Sequence, residues 1–241
     1  MTPAKPYPLV LHADQEHARL RAVVTALILA SMWLGYTLLY AIFQWDALTH
    51  LADYAVFLSC IGGVPLGLAA VWGIEKLLKR VWHSGRSVTL QTDAILVQLS
   101  EAEALRLEMA ARVDVLTWYF RLNSYARGGS ERRVAANWYC LAAQLQQDEQ
   151  RVLVYTFMSP RHVDDVTQVR EFHFHEIQPK DVYTRQSGLI RAPVRPEIPV
   201  EVLREKDGRF WLAEQRRWQD GLELTTQDFI TLLRFVCTAD E

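Results

Sequence analysis

Residues 22–45 read AVVTALILASMWLGYTLLYAIFQW, and residues 54–74 read YAVFLSCIGGVPLGLAAVWGI. Neither stretch contains Asp, Glu, Lys or Arg. At about 1.5 Å of helical rise per residue, each is long enough to cross a hydrocarbon core of roughly 30 Å. Two such runs separated by eight residues predict a transmembrane helical hairpin, not the buried hairpin of a soluble domain. A cleaved signal peptide has an apolar core of about 7 to 15 residues, shorter than the first run, and no small-x-small site closes that run.

The flanks orient the hairpin. Lys5, Arg19 and Arg21 precede the first span, and Lys76, Lys79, Arg80 and Arg86 follow the second. The connecting DALTHLAD carries two Asp and no Lys or Arg. Basic residues near span ends favour the cytoplasmic side, so both termini are expected there, in a multi-pass protein of the inner (plasma) membrane. Trp45, Tyr54, Trp72 and Trp82 fall where amphipathic rings settle at an interface. Lys76, Lys79 and Arg80 share one side of a helix leaving the bilayer, positioned to meet anionic headgroups of the membrane lipids. Gly63 and Gly67 frame a small-xxx-small pattern around Pro65. That pattern predicts close helix packing, against the first span or against another subunit. With no ionisable residue inside either span, an ion pathway or proton relay through this chain is not expected.

The chain has 26 basic and 28 acidic residues, and only eleven of these precede Ser84. The rest are nearly balanced in sign, which argues against nucleic acid as a partner. Cys60, Cys140 and Cys237 have no paired spacing, so neither a disulfide framework nor a structural zinc site is expected, and all three read as buried small hydrophobes.

After Ser87 the apolar period becomes two. VTLQ and AILVQL, joined at Thr92-Asp93, predict a hairpin. Leu105, Leu107 and Met109 alternate with Arg106 and Glu108, as in a third strand, and RVDVLTWYFRLNSY (112–125) predicts a strand with an irregular end. ARGGSERR (126–133) reads as a loop. NWYCLAAQL and RVLVYTFM, around a polar turn at 146–150, predict a second hairpin. Ser159-Pro160 begins a helix expected to run to about Phe172, with Asp164 and Asp165 near its positive end. Residues 179–199 read as an extended connector. Arg209 to Gln215 and the segment around Trp218 read as a short hairpin. Thr225-Thr226-Gln227-Asp228 is a capping box opening a terminal helix, whose apolar stripe is Phe229, Leu232, Leu233 and Val236.

The fold class expected is α+β: a cytoplasmic segment (1–21), a transmembrane hairpin (22–83), a β-rich domain (84–172), and a C-terminal extension (173–241) with a terminal helix. Two spans, then VDVLTWYFRL, then VLVYTFMSPRHVDDV resemble bacterial two-span membrane proteins with a cytoplasmic PH-like (YcxB-like) domain. The resemblance covers about residues 87–169. It implies a PH-like partial barrel with a capping helix, acting as an interaction module. The long tail after Phe172 departs from that pattern.

Candidate chemistry is sparse. His173 and His175, with Glu176 and His162, fall short of a recognisable metal-ligand spacing. Adjacent Asp164 and Asp165 diverge by about 100° on a helix, so they do not form an acid–base pair. No nucleophile elbow, phosphate loop or zinc-protease motif occurs, so neither a catalytic site nor a cofactor is expected. Arg209, Trp211, Arg216, Arg217 and Trp218 interleave cations with aromatics, as surfaces that contact headgroups or a partner do. The expectation is a membrane-anchored, non-enzymatic interaction or scaffold protein that binds a protein partner, a lipid headgroup or copies of itself. The alternatives are an accessory subunit of a membrane complex and an enzyme with a dispersed site.

Overall fold

The computed structural model describes residues 7–45, 53–100, 103–125, 134–183 and 197–239. It is α+β, with two long apolar helices near the N-terminus and two β-sheets after them. Two compact units make up the chain: Glu16–His83, and Met1–Gln15 together with Ser84–Glu241.

The first unit is the hairpin of α1 (Ala18–Phe43) and α2 (Ala55–Val81). Both helices are long and apolar enough to cross a membrane. Helix α1 starts four residues before the uncharged run because His17 caps it, its Nδ1 accepting from the Leu20 N–H at 3.1 Å. Helix α2 buries Ala55, Ser59, Gly63, Gly67 and Val71, one residue in every four and therefore one continuous stripe. A Cβ at Gly63 would lie 2.8 Å from the Tyr36 nitrogen, one at Gly67 would lie 2.9 Å from the Ser31 carbonyl carbon, and one at Gly35 would lie 2.6 Å from the Gly63 oxygen. Small residues here let the two backbones approach, the main source of helix association where the surroundings are as apolar as the side chains. Leu29, Trp33, Phe57 and Trp72 point outward and are exposed.

The second unit holds two sheets. The first is an antiparallel meander in the order β1 (Leu9–His12), β2 (Ser87–Leu90), β3 (Ala94–Gln98), β4 (Ala104–Glu108). Both strands of the predicted hairpin and the third strand after it are present. Strand β1 is an addition: Leu9 lies opposite Leu90 and Leu11 opposite Val88, so the N-terminal segment is part of this sheet. The second sheet has the order β8 (His175–Glu176), β5 (Asp114–Arg121), β6 (Tyr139–Gln147), β7 (Gln150–Met158), β9 (Leu222–Glu223). Its central strands form the predicted antiparallel hairpin, and the two-residue outer strands join by parallel pairing. The irregular end of β5 has a physical basis: Asn123 and Ser124 take positive φ angles of 47° and 58°.

The second sheet is covered on both faces. On one face Leu141, Leu145, Val152 and Val154 pack with the first sheet, with α3 (Pro160–Thr167) and with α6 (Thr226–Ala239). On the other face Trp118, Phe120, Leu153 and Phe157 pack with Tyr183 and with α5 (Gly208–Asp220), which a short α4 (Val200–Arg204) precedes. Residues after Phe172 thus complete the sheet and both cores, and the C-terminal extension does not stand apart from residues 84–172.

Several expectations change. Residues 208–220 are helix, not hairpin. Phe210, Trp211, Glu214 and Arg217 are all buried, at the i, i+1, i+4, i+7 positions of one helix face. Helix α3 ends at Thr167, and a separate 3-10 turn covers Arg170–Phe172. Asp164 and Asp165 therefore lie in the second half of an eight-residue helix, outside its first turn, and are exposed. Of the cysteines, Cys140 is buried, whereas Cys60 is exposed and Cys237 half-buried. The predicted loop at 126–133 and most of the 179–199 connector lie outside the described residues. The terminal helix forms as expected: Thr225 Oγ1 accepts from the Asp228 N–H at 3.2 Å and donates to Asp228 Oδ2 at 2.8 Å.

Candidate functional site

Two arrangements in the β-rich unit bring polar chemistry together: a buried carboxylate cluster and an open groove. The cluster centres on Glu214. Its Oε1 accepts from Tyr183 Oη at 3.0 Å, Arg217 Nη2 at 2.7 Å and Trp218 Nε1 at 2.8 Å. Its Oε2 accepts from Trp118 Nε1 at 2.9 Å and Arg217 Nε at 2.7 Å. Arg217 also lies 4.5 Å over the Tyr155 ring. A buried carboxylate needs a paired cation and filled lone pairs, and this one has both. The cluster locks α5 to the sheet and leaves no carboxylate lone pair for a ligand, so it is structural.

The groove, about 870 Å³, runs along β5. Its floor is Arg112 to Thr117. One wall is α5, presenting Arg209, Leu212 and Arg216 at i, i+3 and i+7, above Gln144 and Gln146 of β6. The opposite wall is Glu171, Phe172 and His173, together with Leu233 and Cys237 of α6. The floor is a sheet edge. The Ile177 N–H donates to the Tyr119 carbonyl at 3.0 Å, which fixes the Tyr119 peptide groups on the β8 side of β5. Successive residues alternate between the two sides, so Thr117 and Val115 also direct their backbone groups away from β6. Strand β8 reaches back only to the Trp118–His175 pair. The N–H and C=O of Val115 and the N–H of Thr117 therefore meet no hydrogen-bond partner among the described residues.

The charges of the groove are uneven. Arg112 pairs with Asp114 at 3.0 Å. Among the described residues Arg216 bonds Gln144 Oε1 at 3.4 Å and has no carboxylate within 4 Å, and Arg209 lies 4.7 Å over the Phe210 ring with no carboxylate partner. Partial burial, and then the neighbouring Arg151, push the Arg216 guanidinium below its ordinary value. On the far side of β5, Tyr119 Oη donates to Glu176 at 3.3 Å; burial, followed by the Glu176 charge, raises its phenol.

The residues singled out from the sequence separate accordingly. Arg209 and Arg216 line the groove. Trp211 and Arg217, at 1% and 2% exposure, cannot touch a headgroup or a partner, because both are part of the core. Trp218 is half-buried and tied to Glu214. Gly63 and Gly67 face α1, so their stripe is not available to another subunit. Lys79 is held by Glu75 at 2.8 Å and Glu16 at 3.0 Å, whereas Lys76, 4.7 Å over the Trp72 ring, and Arg80 are exposed.

The histidines do not converge. His173 has a left-handed backbone and bonds the Glu171 carbonyl; His175 stacks on Phe210 at 4.0 Å and bonds Asp207 at 2.9 Å; His162 bonds Ser159. Among the described residues no three His, Cys, Asp or Glu side chains form a cluster able to hold a metal ion. Sequence reasoning missed Leu212, Gln144 and the open edge of β5. The available signal was the Arg209, Leu212, Arg216 spacing, which is one helix face and not a strand. No family model, curated protein or solved structure matches this chain.

Proposed function

We propose that this chain is a membrane-anchored, non-enzymatic interaction protein. In this reading the hairpin crosses the inner membrane with both termini cytoplasmic, and a PH-like domain recruits a protein partner. The groove beside β5 carries the reading: it is open and floored by an unpaired strand edge, with Arg209, Leu212 and Arg216 on one side and Phe172 and Leu233 on the other, while Asp114, Glu171, His173 and Cys237 also line it. A four-stranded meander followed by a three-stranded one and a helix supports the PH-like assignment. The basic flanks of the spans support the orientation.

The test is purification of the full chain from its own membranes in mild detergent, beside Leu212→Asp. Leu212 is 39% exposed on the groove wall, so the substitution is tolerable to the fold. A stoichiometric partner that is lost with Leu212→Asp is expected. A chain that purifies alone, or a partner indifferent to position 212, contradicts the proposal.

A further inference from the structure

We infer that the open edge of β5 takes up an extended, acidic segment of the partner protein as an added strand. This rests on the partner-recruiting reading above and specifies how the partner is held.

Three observations converge on one occupant. The first is unmet backbone hydrogen bonding. A partly buried N–H or C=O without a partner is unfavourable, and the Val115 groups and the Thr117 N–H are arrayed for a ladder that β8 does not extend to them. A helix cannot satisfy them, because its own backbone groups are already paired; an extended chain can.

The second is the shape of the cleft. The edge lies at the bottom of a groove with α5 on one side and the Phe172 and α6 side on the other, so a strand laid along β5 has its alternate side chains directed to opposite walls. From Asp114, where β5 begins, to Thr117 the edge offers roughly 13 Å of strand, at about 3.3 Å per residue.

The third is charge. The α5 wall presents Arg209 and Arg216, neither of which has a carboxylate partner among the described residues. The other wall sets the apolar Phe172 and Leu233, with Cys237, beside Glu171 and His173. The complementary segment alternates acidic residues, facing α5, with apolar residues, facing α6. A carboxylate beside Arg216 also offsets the repulsion from Arg151.

The experiment uses the full chain in detergent micelles and a fluorescent octapeptide of alternating Val and Glu. Anisotropy should show saturable binding, with the Val/Lys octapeptide at least about tenfold weaker, and Arg216→Glu should reverse that preference. Two N-methylated forms of the Val/Glu peptide, blocked at the Val amides or at the Glu amides, probe the ladder without altering the protein. In an added strand only one set of amides faces β5, so one form should bind like the parent and the other about tenfold or more weaker.

Equal binding by both forms, or no binding by any octapeptide, overturns strand addition. The recruiting reading would then stand or fall separately on the Leu212→Asp purification. Competition by phosphatidylglycerol vesicles that is lost in Arg216→Glu would assign the groove to a membrane surface and also overturn the inference.

Discussion

Glu214 and Arg217 form a bidentate ion pair across one turn of α5, with Oε2–Nε and Oε1–Nη2 both at 2.7 Å and neither side chain exposed. Trp118, Tyr183 and Trp218 donate into the same carboxylate, so one glutamate ties together a strand, the segment after β8 and a helix. Leaving either charge buried without its partner is severe, about 3–5 kcal/mol. Glu214→Leu and Arg217→Met should each destabilise the β-rich unit by that order and lower its unfolding midpoint. The double variant should lose markedly less than the sum, since it strands no charge. Thermal melts of the four proteins, followed by near-UV circular dichroism, check this; additive losses would contradict the pairing.

In the hairpin, Gly63→Leu must push α1 and α2 apart, because even a Cβ there falls within 2.8 Å of the Tyr36 backbone. Gly73→Leu meets nothing within 4 Å. The distance between spin labels at the exposed Leu29 of α1 and the exposed Trp72 of α2 should lengthen in the first variant and stay unchanged in the second.

Asp14 joins the N-terminal strand to β9. Its N–H donates to the Glu223 carbonyl at 2.8 Å, its Oδ1 accepts from the Glu223 N–H at 3.0 Å, and its Oδ2 accepts from Arg86 Nη1 at 2.6 Å. Its φ of 52° is one that Asp and Asn tolerate and Ala does not. Asp14→Ala should destabilise the β-rich unit by about 2 kcal/mol, measured by urea unfolding, with Asp14→Asn recovering part of the loss.

The phenol of Tyr119 is raised by burial and then by the Glu176 carboxylate. Its protonated form is therefore favoured in the folded chain. The associated stability is fully present below the ordinary tyrosine range and is lost as pH rises through the elevated folded value. NMR titration of ring-labelled tyrosine, assigned with Tyr119→Phe, should show a midpoint above the ordinary one. Glu176→Gln should lower it without restoring the ordinary value, since burial is the larger cause.

Much of this architecture is written in local pattern. The uncharged runs mark the two helices, period-two alternation marks β2 to β7, and the Thr225 box marks α6, because each depends on neighbours within a few residues. Helix α5 was hidden because two positions of its buried face, Glu214 and Arg217, are charged and read as surface until their mutual pairing is seen. Strands β1, β8 and β9 are four residues or fewer and exist only through partners far along the chain, such as Leu11 with Val88 and Leu222 with Val154. The groove was illegible for the same reason: an unpaired edge is defined by where β8 stops, and no local pattern carries that.

The most direct test of a partner-recruiting groove is a photo-crosslinking amino acid placed at Leu212, on the groove wall, and separately at Leu29, exposed on α1. Irradiation of intact membranes should yield one discrete protein adduct from position 212 and none of that product from position 29. The same adduct from both positions, or no protein adduct from position 212, would contradict the account.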